Sequence, residues 1–264
     1  MMRVVALAGI VTVQDAGRPG WMHQGVPPGG ALVLELLARA NTAAGNRPFE
    51  PALELVGSIS LAAIAPVLVA TDDGAAHELT AAAPWTTSSG AAHVRYVAVR
   101  GGIDVPGVLG GRGTLLVAGL GGYEGRTLRR GDVLGVGASP RLDAPLPEPP
   151  DLTAPIRVVL GPDLDRFDSV ATDVFLGSTF CIDRRRDRVG LRLSPSLGPR
   201  GDDAGPSSPM VRGAIQVPPS GEPIVLGPDH PTTGGYPVLA TVERSSFGSL
   251  AARPVGAAVR FVAR

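Results

Sequence analysis

The sequence contains no lysine: all 24 of its basic residues are arginine. This absence excludes a P-loop, whose lysine binds nucleotide phosphates, and any enzyme that forms a Schiff base through a lysine amine. It also excludes a Ser-Ser-Lys amidase and a carrier that holds biotin covalently on this chain. In a biotin-dependent reaction, the biotin would therefore have to arrive on another protein.

Cysteine, aromatic residues and net charge are also scarce. The single cysteine, Cys181, cannot form an internal disulfide, which fits a reducing cytoplasm. A net charge of zero and 4% aromatic residues argue against a nucleic-acid-binding protein, which needs a basic face and stacking rings. The longest apolar runs, such as residues 61–70, are too short to cross a membrane. We therefore expect a cytoplasmic globular protein that binds neither nucleic acid nor membrane.

Glycine and proline are frequent, with 36 and 26 residues, and short runs rich in valine and isoleucine lie between them. Such runs predict strands at residues 4–13, 67–71, 93–99, 114–119, 132–136, 156–160, 215–217, 223–226, 238–242 and 259–262. Only residues 31–44 and 162–175 have the features of helices. The pattern predicts an all-β sandwich or barrel with one or two short helices.

A proline-rich segment divides the chain. It predicts a first domain over residues 1–140, a linker over 141–155 and a second domain over 156–264, with strand exchange between the domains allowed. The halves also share short motifs: GGIDVP at 101–106 resembles GAIQVP at 213–218, and GGY at 121–123 recurs at 234–236. Two echoes in the same order favour a duplicated β domain, although a glycine-rich chain produces some matches by chance.

Single motifs leave the function open. The loop GLGGYEG at 119–125 lacks the G-x-G-x-x-G spacing of dinucleotide-binding loops, and no G-x-S-x-G is present. The four histidines have no metal-ligand spacing, so no metal site is predicted. The DRRRDR run at 183–188 fits an anion site or, more simply, a solvated ion-pair network. TTGGYP at 232–237 fits a type II or I′ turn better than a backbone nest for an anion.

Six blocks taken together carry more information. They are TVQDAGRPGWMHQGVPPGGA (12–31), LARANTAAGN (37–46), ALEL (52–55), the segment 100–134, RDRVGLRL (186–193) and the segment 213–242. In this order they resemble the C subunit of bacterial ATP-dependent 5-oxoprolinase, the KipI antagonist (KipA) family. That family is also labelled allophanate hydrolase subunit 2 or biotin-dependent carboxyltransferase, and the resemblance spans nearly the whole chain.

The resemblance implies two cyclophilin-like β-barrel domains, which agrees with the all-β prediction. It implies a complex with a KipI-like B subunit and a separate A subunit. In this complex the B–C pair uses ATP with Mg to activate a cyclic or urea-like amide by phosphorylation, and the amide is then hydrolysed. Arginine and backbone donors would stabilise the phosphoryl oxygens, so lysine is dispensable.

The resemblance also supplies candidate site residues. Arg18, Asp104, Arg112, Arg188 and Gln216 are the candidates for catalysis, with the three arginines expected to hold anions. The candidates for substrate or nucleotide binding are Gln14, Asp15, Asp187, Arg192, Thr232, Thr233, Gly234 and Tyr236. Other family positions that match are Pro19, Gly25, Asn41, Asn46, Glu54, Gly121, Gly122, Glu124, Gly190, Pro218 and Gly235.

The chain departs from the family pattern at four places. Leu32 and Val33 stand where the family usually has Met-Asp, Ser208 replaces an acid, and Pro231 replaces a glutamine. These losses leave two alternatives to an active hydrolase subunit. The chain could be a regulatory partner that binds a KipI-like kinase inhibitor, or a carboxyltransferase component of a biotin-dependent, urea carboxylase-like system.

Overall fold

The computed structural model describes residues 1–90, 92–199 and 205–264. These residues form mostly β-structure with three short helices, α1 (Leu34–Ala43), α2 (Ser169–Gly177) and α3 (Arg244–Ala251). The first eight strands are β1 (Met2–Gln14), β2 (Ala52–Ala63), β3 (Val67–Thr71), β4 (Ala76–Leu79), β5 (Trp85–Ser88), β6 (Arg95–Val99), β7 (Ile103–Asp104) and β8 (Val133–Val136).

The later strands begin after the proline-rich segment. They are β9 (Ile156–Leu160), β10 (Phe180–Arg186), β11 (Gly190–Ser194), β12 (Ser208–Pro209), β13 (Ala214–Gln216), β14 (Ile224–Leu226), β15 (Thr233–Gly234), β16 (Val238–Val242), β17 (Ala258–Val259) and β18 (Phe261–Ala263). Single turns of 3-10 helix lie at Met22–Gln24, Leu116–Ala118 and Leu164–Arg166.

The described chain divides into two compact units. Unit 1 comprises Met1–Trp21 and Pro28–Pro150, and unit 2 comprises Met22–Pro27 and Asp151–Arg264. The break after Pro150 lies inside the segment 141–155, where the proline-rich composition predicts a linker. Each of the two large sheets takes all its strands from one unit, and the short segment Met22–Pro27 contributes no strand to either.

Unit 1 is built on one eight-stranded sheet with the order β4-β3-β6-β2-β1-β8-β7, in which β5 also pairs with β2. The long strands β1 and β2 run antiparallel, from the pair Met2–Ala63 to the pair Gln14–Ala52. Apolar side chains at alternate positions of these strands are buried in one core, as expected for a sheet with one face covered. The end of β1 therefore places the QDAGR segment at the edge of this core.

Unit 2 is built on a second eight-stranded sheet with the order β17-β10-β11-β14-β13-β16-β9-β18. Three buried aromatic rings hold α2 against this sheet. The ring of Phe175 stacks on Phe261 with centroids 4.6 Å apart, and Phe180 lies 5.9 Å from each. A separate two-stranded sheet joins β12 to β15. The strand pair β12–β15 forms part of a pocket wall.

The all-β prediction is confirmed in its coarse form, while the cyclophilin-like type stays a prediction. The number of helices was underestimated: α3 was missed because its sequence, RSSFGSLA, is rich in serine and glycine, which are poor helix formers. Burial of Phe247 and Leu250 in unit 2 stabilises this helix instead. None of the helices among the described residues is long and apolar enough to cross a membrane.

The strand predicted at residues 114–119 was also wrong. Leu115 makes a single antiparallel bridge to Leu120, and the residues between them form the 3-10 turn Leu116–Ala118. Gly119 closes this turn in the left-handed conformation, with φ of 60°. Leu115 is buried but Leu116 and Val117 are exposed, so this apolar run does not have the burial of a core strand.

Candidate functional site

A pocket of about 510 Å³ opens in unit 2 beside the strand pair β12–β15. Its lining residues are Pro162, Asp163, Arg166, Gly205, Pro206, Ser208, Pro209, Met210, Gly234, Gly235, Tyr236 and Val238. Pockets of about 300–1,000 Å³ with mostly apolar walls and a few polar groups are typical of small-molecule sites. We therefore call it the unit 2 pocket and treat it as the candidate functional site.

Three of the predicted site residues meet at this pocket. Gly234 and Tyr236 line it, and buried Gln216 lies behind them. The side-chain Nε2 of Gln216 donates to the carbonyl of Tyr236 at 3.2 Å and contacts the sulfur of Met210 at 3.3 Å. Gln216 thus fixes the wall that carries Tyr236, whose side chain remains 43% exposed.

The TTGGYP segment is not the turn that its glycines predict. Thr233 and Gly234 form β15, which pairs with Ser208 and Pro209 of β12. Neither Gly234 nor Gly235 adopts the left-handed conformation that type II and I′ turns require, whereas Gly121 and Gly122 in the echo motif do, with φ of 66° and 54°. The two GGY motifs therefore share letters but not backbone conformation.

Two charged residues of the pocket come from one turn that sequence reasoning missed. Asp163 and Arg166 bracket the 3-10 turn, and the backbone N–H of Arg166 donates to the carbonyl of Asp163 at 3.0 Å. The carboxylate Oδ2 of Asp163 accepts a 2.8 Å hydrogen bond from the N–H of Val238. The Pro-Asp start and the acidic first turn of segment 162–175 were used only to predict a helix. The same segment contains Asp163 and Arg166, which line the pocket.

Arg188 forms a buried ion pair with Asp229. Its Nε and Nη2 bind the two carboxylate oxygens of Asp229 at 2.8 and 2.9 Å, and both side chains are largely buried. The next residue, His230, is fully buried; its Nδ1 lies 2.8 Å from the Pro231 carbonyl, and its Nε2 has no hydrogen-bond partner among the described residues. Burial lowers the pKa of His230 below its usual value of 6.5.

The arginine-rich run supports the simpler of its two interpretations. Arg185 bridges Asp183 and Glu222 at 2.9 and 2.8 Å, which makes an exposed ion-pair network. Hydrogen bonds from Arg185 hold the pKa of the Asp183 carboxyl down at about 2. Asp187 accepts hydrogen bonds from two backbone N–H groups of its own turn, and Arg192 lies 3.7 Å from Glu222.

In unit 1 the QDAGR residues form a buried backbone-binding cluster. The guanidinium of Arg18 is fully buried and donates to the carbonyls of Gly113 and Val108. Asp15 accepts from the backbone N–H groups of Gly17 at 2.8 Å and Arg112 at 2.6 Å. These contacts hold the glycine-rich loops against the end of β1, while the predicted anion-binding role of Arg18 stays a prediction.

The other unit 1 candidates divide between buried and exposed positions. Gln14 is fully buried and donates to the Thr114 carbonyl at 3.0 Å, and its Oε1 has no hydrogen-bond partner in the part of the chain that the structure describes. The side chains of Arg112 and Asp104 are exposed. The structure therefore brings Gln14, Asp15 and Arg18 together in one cluster and leaves Arg112 and Asp104 at the surface of the same unit.

Several further family positions hold backbone in place. Asn46 donates to the Asn41 side chain at 2.9 Å and accepts from the N–H of Gly101 at 2.8 Å. Glu54 accepts from the N–H of Leu32 at 2.7 Å, and the neighbouring Val33 is fully buried. The residues that replace the family's Met-Asp thus lie in a packed, hydrogen-bonded segment, which fits their apolar character.

The described lining of the pocket does not by itself fit a magnesium–ATP complex. A triphosphate needs several cationic or N–H donors, and its magnesium needs oxygen ligands such as carboxylates. The described part of the lining includes one guanidinium, that of Arg166, and one carboxylate, that of Asp163. The described residues also contain no group of three His, Cys, Asp or Glu side chains placed to hold a metal ion.

Comparisons of the sequence give a consistent set of relatives. A family model described as carboxyltransferase domain, subdomain A and B, matches residues 24–263. The C subunit of 5-oxoprolinase from Escherichia coli (strain K12) is 34% identical over an alignment of 281 positions, which covers 99% of this chain and 91% of that protein. The urea amidolyase of Lachancea kluyveri is 29% identical over 95% of this chain but over 16% of its own length.

Comparisons of the structure point the same way. A crystal structure of TTHA0988 superposes with a TM-score of 0.84 at 28% identity, over 99% of this chain and 55% of that one. The Kluyveromyces lactis urea amidolyase superposes with a TM-score of 0.81 at 26% identity, over 99% of this chain and 18% of that one. The chain thus spans about half of TTHA0988 and under a fifth of the amidolyase.

Proposed function

Because the chain belongs to the family of the carboxyltransferase domain, subdomain A and B, we propose that it is the C subunit of an ATP-dependent 5-oxoprolinase-type amidohydrolase. The observation that carries the proposal is the alignment with the C subunit of a 5-oxoprolinase over 99% of this chain and 91% of that relative. A relative matched over nearly its whole length shares an arrangement of domains, not only one module within a larger enzyme.

The unit 2 pocket supports a role in binding a small amide. Its walls are largely apolar and it offers a guanidinium, a carboxylate and the hydroxyls of Ser208 and Tyr236. A carboxylate accepts from an amide N–H, and a hydroxyl donates to an amide carbonyl. These groups would bind and orient the substrate, while the reaction itself takes place in the assembled enzyme.

The proposal includes partner subunits. The relatives in Escherichia coli and Haemophilus influenzae are named as subunits of 5-oxoprolinase, which implies that this chain also works within a complex. We propose a KipI-like B subunit and a separate A subunit as the partners. We propose that the complex uses ATP with Mg, and we place neither in the unit 2 pocket because the described residues of its lining do not fit them.

A second candidate function is a carboxyltransferase component of a urea amidolyase-like system. The family description and the identity of 29% to a urea amidolyase favour it. Without lysine, this chain would depend on biotin that another protein carries. The short share of the amidolyase that it covers, 16%, makes this the weaker candidate.

Reconstitution with purified subunits tests the two candidates. The chain, its B subunit and its A subunit are mixed with ATP, bicarbonate and either 5-oxoproline or urea, and glutamate, carboxylated urea and ADP are measured. Release of glutamate and ADP that requires all three proteins is expected. Correctly assembled subunits that turn over urea with a biotinylated partner, and not 5-oxoproline, would show that the second candidate is the right one.

A further inference from the structure

We propose that Asp163 is a positioning residue, which holds Tyr236 in place in the unit 2 pocket through the backbone of Val238. This inference rests on the proposed function, because the position of Tyr236 matters to the enzyme only if the pocket binds the substrate. Asp163 lies outside the six sequence blocks that carry the family resemblance, so the assignment comes from its contacts in the structure.

The segment 236–238 of the pocket wall is held at both of its ends. At one end, the side chain of Gln216 donates to the carbonyl of Tyr236 at 3.2 Å. At the other end, the N–H of Val238 donates to the carboxylate of Asp163 at 2.8 Å. The residue between them is a proline, whose ring restricts the backbone. A displacement at Val238 is therefore passed on to Tyr236.

Loss of the contact with Asp163 would move this segment. Val238 is only 6% exposed, so its N–H has little access to water. A buried N–H without an acceptor costs free energy, and the backbone relieves that cost by shifting toward a new partner. Tyr236 lines the pocket two residues away, so we expect its ring to move with the backbone.

Gly161 allows the turn to approach β16 closely enough for this contact. The N–H of Gly161 donates to the carbonyl of Leu239 at 2.8 Å, and a Cβ on Gly161 would clash with the carbonyl oxygen of Val238. The sequence Gly161-Pro162-Asp163 follows directly on β9. It therefore places a residue without a side chain against β16 and brings a carboxylate to the first N–H of that strand.

The same three residue types recur at 227–229, directly after β14, and make corresponding contacts. The N–H of Gly227 donates to the carbonyl of Val189 at 2.8 Å. Asp229 then binds the preceding residue, Arg188, through its own N–H at 3.0 Å and through its carboxylate at 2.8 and 2.9 Å. In both places the glycine contacts one residue of a neighbouring segment and the aspartate holds the residue before it. Gly-Pro-Asp thus acts twice in unit 2 as a clamp on a neighbouring segment.

The test is fluorine NMR of the full chain labelled with ring-fluorinated tyrosine. The chain has three tyrosines, and Tyr236→Phe identifies the signal of Tyr236 by its loss. We expect Asp163→Ala to shift or broaden this signal. Asp163→Asn should restore it, because the amide oxygen of asparagine can accept from the N–H of Val238. A signal that is unchanged in folded Asp163→Ala, or that Asp163→Asn does not restore, would overturn the inference.

Asp173→Ala and Asp173→Asn are the matched controls. Asp173 is an exposed residue of α2 outside the pocket lining, so both variants should leave the Tyr236 signal unchanged. Gly161→Ala keeps the carboxylate but forces the turn away from β16, and it should move the signal as Asp163→Ala does. Melting temperatures show which variants are folded. If Asp163→Ala does not fold, Gly161→Ala takes its place, and an unchanged Tyr236 signal there would equally contradict the inference.

In the reconstituted enzyme, a double-mutant cycle separates positioning from direct contact with the substrate. Asp163→Ala should lower kcat/KM for 5-oxoproline about twofold to tenfold, which is the effect of one hydrogen bond. In a Tyr236→Ala background the same change should have a clearly smaller effect, because the residue that Asp163 positions is gone. A loss of the same size in both backgrounds would mean that Asp163 acts independently of Tyr236, and the inference would be wrong.

The two kinds of measurement separate this inference from the proposed function. If the reconstituted complex does not turn over 5-oxoproline, the proposed function is wrong, and fluorine NMR of the full chain still decides whether Asp163 holds Tyr236. If the complex is active but the Tyr236 signal does not respond to Asp163→Ala, the inference is wrong and the proposed function stands.

Discussion

The Arg188–Asp229 pair is held by two hydrogen bonds inside unit 2. Because Asp229 is only 5% exposed, Arg188→Met would leave a buried carboxylate without its bidentate partner. Removal of one member of a buried pair costs about 3–5 kcal/mol. We expect a loss of that order in the free energy of unfolding, measured by urea denaturation.

The double variant Arg188→Met/Asp229→Leu is the control for that prediction. It replaces both members of the pair by apolar side chains, so neither charge is left buried without the other and much of the lost stability should return. A double variant less stable than Arg188→Met would contradict this account. The predicted catalytic role of Arg188 is a different question from its effect on stability. It would appear as a loss of activity in Arg188→Lys under conditions where that variant is fully folded.

His230 gives unit 2 a pH-dependent stability. Desolvation, and to a smaller extent Arg212, lower its pKa, while the Pro231 carbonyl and Asp229 oppose the shift. The folded state therefore resists a proton that the unfolded chain takes up below about pH 6.5. Above that pH, protonation of His230 should not affect the free energy of unfolding. As the pH falls below it toward the folded pKa, the free energy of unfolding should decrease, because the unfolded chain binds the proton more tightly than the folded chain.

The measurement is urea denaturation of the original chain and His230→Asn between about pH 5 and pH 7.5, a window around the ordinary histidine pKa. The difference between the two stabilities should change across this window, because the carboxylates common to both chains cancel. His23→Gln, which replaces an exposed histidine, should follow the original profile. If the difference in the free energy of unfolding between the original chain and His230→Asn stayed constant with pH, the prediction that His230 is buried in its neutral form would be wrong.

At the scale of elements, several strong local patterns were read correctly from the sequence. Helix α1 and strands such as β1 and β9 have sustained apolar patterns, and these elements form where they were predicted. Helix α3 has no such pattern. Arg186 of β10 donates to the carbonyls of Ala251 and Arg253 at the C-terminal end of α3, at 2.7 and 2.6 Å. Burial lowers the pKa of Arg186 to about 10. This contact spans more than 60 positions of the chain.

The candidate site also combines residues that the sequence indicated with residues that only the folded structure brings together. The family resemblance indicated Gln216, Gly234 and Tyr236, which lie in the matching segment 213–242. Asp163 and Arg166 were not singled out, since their meeting with β12 and β15 depends on how β16 and the 3-10 turn pack. Side chains that converge only through tertiary packing leave no local signal.

At the scale of the whole molecule, unit 1 has the parts of an independent domain. All eight strands of its sheet and the apolar cluster from Met2 to Val136 lie within residues 1–150. A chain of that length buries enough apolar surface to fold alone. We expect the fragment 1–150 to give a β-type circular dichroism spectrum and a single cooperative thermal transition.

The fragment 151–264 is the informative comparison. It carries the second eight-stranded sheet and its phenylalanine cluster, but it lacks Met22–Pro27, which belongs to unit 2. We expect it to melt at a lower temperature than a version with residues 22–27 joined to its N-terminus through a flexible linker, because the added segment restores the contacts of its own unit. If fragment 1–150 showed no cooperative transition, or if the added segment left the melting temperature of 151–264 unchanged, the division of the chain into these two units would not describe how it folds.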